Sequence, residues 1–257
     1  MRAAHDHDGP CGDVAFTLPL SSGHTAIVVI DVAGHGAARA GLSSAITETI
    51  TAALLRDASP AAALASADEL LRTFEDESPY AVAFVALVHP VLQTVIYASA
   101  GHDVAFALAD DGHIRHLAPT TPMLGVPLAV NPCDAAFILD ATETLLVATD
   151  GVTDSRPVGS DRFFGAEGTA RAIAGSLRDG GDPALAALEA AWLHAGCRQA
   201  DDAGVVVVRI EAVSEDNVRA AVQDKSRPHR AISGVVDPRH VGPLKVHISI
   251  GGAAFPR

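Results

Sequence analysis

Acidic residues interrupt the apolar runs of this sequence at positions where a strand would meet a loop. They are Asp13, Asp31, Asp150 and the pair Asp201 and Asp202. Carboxylates that are grouped in space repel one another, so such a group is typical of a site for divalent cations. Ligation by oxygen alone favours Mg²⁺ or Mn²⁺ over Zn²⁺. Taken singly, each aspartate also fits a simpler role as a turn former or a helix N-cap.

The hydrophobic pattern predicts the elements that would position these acids. Strands are predicted within 13–20, 24–32, 80–102, 104–117, 134–140, 143–151 and 201–210. Helices are predicted at 37–56, 60–77, 162–178 and 183–197. Because the strands come mostly as hairpins and the helices in pairs, the predicted fold class is α+β. The expected architecture is a four-layer α/β/β/α sandwich, in which two mostly antiparallel sheets are flanked by helix pairs.

Composition limits the function classes. The 257 residues are 49% hydrophobic and 19% charged, which predicts a packed globular protein. The formal net charge of −13 argues against a nucleic-acid or anionic-membrane partner, because phosphate groups are bound by basic patches. We find no signal peptide and no apolar stretch long enough to span a membrane, and we therefore expect a cytoplasmic protein.

Five motifs occur in a fixed order along the chain. They are "CGDVAF", "DVAGHG", "YASAGHDVAF", "TDGVTD" with "FFGAEG", and "ADDAGVVVVR". Together they resemble the PPM-type (protein phosphatase 2C-like) serine/threonine phosphatases, specifically the bacterial SpoIIE-type branch. The resemblance spans about residues 9–211. It implies two Mn²⁺ or Mg²⁺ ions at the edge of a β-sandwich flanked by helices.

The resemblance also implies a role for each acid. Asp31 matches the carboxylate that bridges both ions, and the backbone carbonyl of Val32 is a further ligand in relatives. The other expected ligands are Asp13 for one ion, and Asp150 and Asp201 for the other. Asp202 remains an alternative to Asp201, and Asp154 is either a ligand of a third, weaker ion or an exposed turn acid.

The implied reaction is hydrolysis by a metal-activated water, without a covalent enzyme intermediate. In that mechanism Asp31 and Asp150 act through the metal-bound water. His35 is a weaker candidate, since a histidine could protonate the leaving alkoxide. Two residues, Val32 and Ala33, separate Asp31 from the Gly34-His35 pair, whereas eukaryotic relatives have Asp-Gly-His-Gly. We therefore favour a supporting or turn-packing role for His35.

The expected substrate is a phosphorylated protein. In the SpoIIE-type branch it is commonly an anti-anti-sigma (STAS-type) regulator of partner-switching signalling. The alternatives are a phosphatase of the same fold that acts on a small phosphorylated molecule, and a non-catalytic pseudophosphatase or binding module. We predict a phosphatase domain over 1–211 and a C-terminal tail of unknown role over 212–257. Control of activity would come from a regulatory partner chain or from that tail, which is either a weak appendage or a contact of a homodimer.

Overall fold

The structure is a computed structural model that describes residues 12–33, 37–74, 79–126, 130–198, 202–212 and 244–252. The strands are β1 Val14–Pro19, β2 Thr25–Val32, β3 Ala81–His89, β4 Thr94–Ala100, β5 Ala105–Ala109, β6 Ile114–His116, β7 Ala135–Ile138, β8 Glu143–Ala148, β9 Gly204–Ala212 and β10 Leu244–Gly252. The helices are α1 Ala37–Leu54, α2 Pro60–Leu71, α3 Asp150–Thr153, α4 Gly165–Asp179 and α5 Pro183–His194.

Two five-stranded sheets form the centre of the fold. The first has the strand order β1-β2-β3-β4-β7 and the second the order β10-β9-β8-β5-β6. All the pairs along both sheets are antiparallel. The pairs β1–β2, β3–β4 and β5–β6 follow from the hairpin pattern of the sequence, because strands joined by short turns pair with their chain neighbours.

The layers follow from the alternation of side chains along the strands. In β2, Ile27 and Val29 pack between the two sheets, while Val28 and Ile30 pack against α1 and α2. In β9, the residues at 206 and 208 pack between the sheets, and those at 205 and 207 pack against α4 and α5. Both central strands are therefore buried on both faces, which explains their uninterrupted apolar runs. The predicted α/β/β/α sandwich is confirmed.

The helix boundaries agree with the sequence in part. The side chain of Ser59 caps α2 by accepting a hydrogen bond from the N–H of Ala62 at 3.3 Å, as a Ser-Pro start predicts. This helix ends at Leu71, however, before the predicted end at 77. No glycine or proline marks that end in the sequence. Among the described helices, none is both long and apolar enough to cross a membrane.

His102 follows β4 and is buried in the fold. Its ring packs on Phe84 with the ring centroids 6.1 Å apart, and its backbone carbonyl accepts a hydrogen bond from the Ser99 hydroxyl at 2.5 Å. Within the described part of the chain, neither ring nitrogen has a hydrogen bond of good geometry. The nearby backbone of Ala148 favours the protonated ring, but less than burial opposes it. Burial lowers the pKa of His102 to about 4. The histidine is therefore neutral in the folded protein near neutral pH.

We expect His102 to make the protein less stable as the pH falls. The unfolded chain takes up a proton at this histidine near its ordinary pKa of 6.5, whereas the folded protein does so only near pH 4. The stabilisation is thus complete above pH 6.5 and is lost as the pH falls to 4, by roughly 3 kcal/mol. Urea unfolding between pH 7.5 and pH 4 should show this loss in the wild type and not in His102→Leu.

The control variant is His113→Gln, since His113 is exposed beside a hairpin turn. It should retain the pH dependence of the wild type. Parallel stability profiles for the wild type and His102→Leu would contradict the prediction, because other titrating groups contribute equally to both proteins.

Candidate functional site

Pairing of β1 with β2 brings two of the predicted acids together. The register pairs Val14 with Ile30. Asp13 and Asp31 are the next residues outward on the two strands, so they lie side by side at one end of the first sheet. Asp31 is also paired with Val82 of β3, which fixes its position from the other side.

Asp202 joins this pair from the second sheet. It lies two residues before β9, and its Oδ2 accepts a hydrogen bond from the backbone N–H of Gly12 at 3.3 Å. The Thr149 hydroxyl forms two hydrogen bonds with the loop that carries Asp202. It accepts a hydrogen bond from the N–H of Gly204 at 2.9 Å and donates one to the carbonyl of Asp202 at 3.4 Å. The acids of both sheets therefore meet at one end of the sandwich.

Two of the carboxylates at this end are poorly solvated. Asp13 and Asp202 are each 4% exposed. Burial, reinforced by the neighbouring charges of Asp31 and Asp202, raises the pKa of Asp13 well above its ordinary value. Ionised carboxylates in this arrangement need a positive partner, because removing them from water is costly and they repel one another.

Arg39 provides a positive charge in this structure. Its Nη2 donates to Oδ1 of Asp31 at 2.8 Å and to Oδ1 of Asp13 at 3.4 Å. Sequence reasoning missed this residue. The available signal was that Arg39 is the only Lys or Arg between Arg2 and Arg56, and that it lies in the first turn of the helix that follows Asp31.

Asp150 lies at the same end of the second sheet. It directly follows Thr149 and is the first residue of α3, a short helix that the sequence did not predict. Since Ala148 of β8 pairs with Val205 of β9, Asp150 is close along the sheet to the loop that carries Asp202. Asp150 is exposed, as is Asp154 at the other end of α3.

The remaining predicted site residues are placed as follows. Val32 is the last residue of β2 and is buried next to Asp31. Asp201 and His35 lie outside the described residues. Their predicted roles, as a metal ligand and as a weak candidate for proton transfer, stay predictions.

The donor set fits hard divalent cations in type. Within the described ranges, no three His, Cys, Asp or Glu side chains are grouped so as to hold a metal ion. Asp201 is outside those ranges, and Arg39 lies between Asp13 and Asp31, where a cation would be bound by both. The described acids Asp13, Asp31 and Asp202 nevertheless offer oxygen ligands that are buried or partly buried and require positive charge, which suits Mg²⁺ or Mn²⁺.

Family membership is decided by the sequence between β1 and the end of β9. A sequence model of the family described as "Stage II sporulation protein E (SpoIIE)" matches residues 21–211. The chain belongs to the SpoIIE family. The match includes Asp31 and Asp150 and begins after Asp13. The resemblance predicted from the motifs is thereby confirmed. Among curated proteins, none matches this SpoIIE-family chain.

Several solved structures share this fold. The RsbU and RsbW domains of Rv1364c from Mycobacterium tuberculosis match with a TM-score of 0.64 and 19% identity, over 86% of this chain and 66% of that one. The PP2C phosphatase domain with a regulatory fragment of SpoIIE from Bacillus subtilis matches with a TM-score of 0.68 and 18% identity, over 81% and 62%. RsbX in complex with magnesium matches with a TM-score of 0.56 and 15% identity, over 79% and 88%. This SpoIIE-family chain thus spans less than two thirds of the first two.

Proposed function

We propose that this chain is a metal-dependent phosphatase that hydrolyses phosphoserine or phosphothreonine in a protein substrate. The observation that carries the proposal is the meeting of Asp13, Asp31 and Asp202 at one end of both sheets. The motif resemblance assigns Asp13 and Asp31 to cation binding, so the cations of a phosphatase would be bound at this end of the sheets. The Bacillus subtilis relative is a PP2C phosphatase domain, which supports the same activity.

The proposed cofactors are two Mn²⁺ or Mg²⁺ ions. Asp31 would contribute to both ions, Asp13 to one, and Asp150 with Asp201 to the other, and the Val32 carbonyl is a further ligand. Asp202, which lies beside Asp13, is the alternative to Asp201. RsbX, a protein of the same fold, is described in complex with magnesium, which supports a divalent cation as cofactor. When bound, two such cations supply a nucleophilic water of lowered pKa and neutralise charge on the phosphoryl oxygens.

The chain's own residues prepare the site for that charge. Burial of Asp13 and Asp202 excludes water, and attraction between a carboxylate and a cation is stronger where the effective dielectric constant is low. The pairing of β2 with β1 and β3 fixes Asp31 on both sides, so its carboxylate is positioned before anything binds. Thr149 connects the start of α3 to the loop before β9, which keeps Asp150 at the same end.

The proposed substrate is a seryl- or threonyl-phosphorylated regulator of the STAS type, acting in partner-switching control of transcription, and the proposed location is the cytoplasm. A further structure of the same fold, described as part of the bacterial stressosome that controls secondary messenger signalling, supports a signalling role.

The test is hydrolysis of a phosphoserine STAS-domain protein by the full chain. We expect phosphate release with Mn²⁺ or Mg²⁺ and none in EDTA, restored when the cation is added back. p-Nitrophenyl phosphate and a sugar phosphate are assayed in parallel. Full activity in EDTA would refute the metal-dependent mechanism. Hydrolysis of the small esters alone would support a small-molecule phosphatase, and no hydrolysis of any substrate would support a binding module.

A further inference from the structure

Arg39 is an unusual residue for its position in the fold. It lies in the first turn of α1, where the partial positive charge of the helix N-terminus disfavours a cation. The turn contains no acidic residue to compensate for it. A guanidinium at this point is therefore stabilised from outside the helix, and Asp13 and Asp31 provide that stabilisation.

The contacts place the guanidinium inside the acidic cluster. A single nitrogen, Nη2, contacts one carboxylate oxygen each of Asp31 and Asp13, at 2.8 and 3.4 Å. The Arg39 side chain is only 11% exposed, and among the described residues its Nε is buried without a hydrogen-bond partner. A buried donor without a partner costs free energy. The hydrogen bonding of the guanidinium is thus incomplete. Attraction to the two carboxylates, at Nη2, therefore explains why Arg39 lies there.

The Arg39 side chain fits beside Gly12 because residue 12 has no side chain. A Cβ at residue 12 would lie only 1.8 Å from Nε of Arg39 and 2.4 Å from its Cδ and Cζ. Any side chain at Gly12 would thus displace Arg39. The position of the Arg39 guanidinium therefore depends on glycine at residue 12.

We propose that Arg39 competes with one of the two divalent cations. Asp13 and Asp31 are the pair proposed to bind the second cation, and the inference rests on that proposed function. Carboxylate oxygens lie about 2.0–2.1 Å from a bound Mg²⁺. A cation that contacts both Asp13 and Asp31 would therefore take the space that the Arg39 guanidinium fills between them. Binding at the Asp13–Asp31 position requires Arg39 to leave. That position therefore binds a cation more weakly than the other proposed position, which Arg39 does not occupy.

The experiment is a titration of the metal-free full chain with Mn²⁺ by isothermal titration calorimetry, with free Mn²⁺ measured by electron paramagnetic resonance. We expect one tighter and one weaker site in the wild type. Arg39→Met removes the charge and keeps much of the volume, and it should tighten the weaker site about tenfold or more. It should also lower the melting temperature of the metal-free protein, because it leaves Asp13 and Asp31 without their positive partner.

Two further variants keep the test decisive. Gly12→Ala displaces the guanidinium without removing its charge and should tighten the same site, which also covers a failure of Arg39→Met to fold. Arg171→Met is the control, since Arg171 is an exposed residue of α4 that pairs with Glu167. It should leave both affinities unchanged.

The outcomes separate the two proposals. A wild type that binds no Mn²⁺ refutes the proposed metal centre. Two sites of unchanged or lowered affinity in Arg39→Met and Gly12→Ala overturn the competition while leaving the metal centre intact.

Discussion

Replacing Asp31 with Asn is expected to lower kcat/KM for a phosphoserine protein by about 10³-fold or more. Asp31 is the residue proposed to contribute to both cations, and it is fixed by strands on both sides. Asn keeps the shape of the side chain but removes the charge that attracts the ions. The measurement is steady-state hydrolysis with Mn²⁺, together with calorimetry of Mn²⁺ binding.

The fold of the Asp31→Asn variant should persist, because the weakened contact with Arg39 is offset by relief of the repulsion between Asp31 and Asp13. Circular dichroism and thermal unfolding check this point. Asp179→Asn is the matched control, since Asp179 is an exposed aspartate at the end of α4. It should keep full activity. An Asp31→Asn protein that is folded and active within about threefold of the wild type would remove the central residue of the proposal.

Asp150→Asn is expected to lower kcat/KM by about 10²- to 10³-fold, because it removes a proposed ligand of one cation only. Asp154 offers an unusually close comparison. Both are exposed aspartates. Asp150 is the first residue of the four-residue helix α3 and lies two residues after the end of β8, which pairs with β9. Asp154 follows the last residue of that helix.

We therefore expect Asp154→Asn to stay within about threefold of the wild type, whether activity is measured at low or high Mn²⁺. A large loss that is restored by high Mn²⁺ would instead assign Asp154 to a third, weaker ion. Equal losses of kcat/KM in Asp150→Asn and Asp154→Asn would show that both ends of α3 contribute equally. Asp150 would then have no role as a specific ligand. Asp161→Asn, at another exposed aspartate, controls for a general effect of charge.

The layers of the fold could be predicted because they follow from local patterns. The runs around Val28 and Val206 are apolar on both faces, hairpin turns separate most strands, and the helices come in pairs. What local patterns could not supply was α3, since a single helical turn has too few residues to show a period. The end of α2 was missed for a related reason, namely that no residue type marks it.

The site could be predicted only as a set of residue types. Asp13 and Asp31 stand out because each interrupts an apolar run, and the register of two neighbouring strands then brings them together. Arg39 could not be found in this way. Its role depends on the path of a side chain across Gly12, and that path is a property of three-dimensional packing. Of the pair at 201 and 202, the structure describes Asp202, so the preference for Asp201 stays a prediction.

The strand β10 has a practical consequence for work with this protein. It pairs with β9 along the whole strand, from Gly204 to Ala212, and forms the outer edge of the second sheet. The family match ends at residue 211, and a fragment cut there would lack β10. Its new sheet edge would be a run of four valines with unsatisfied backbone groups, which is a template for aggregation. Expression of residues through 252 keeps that edge covered.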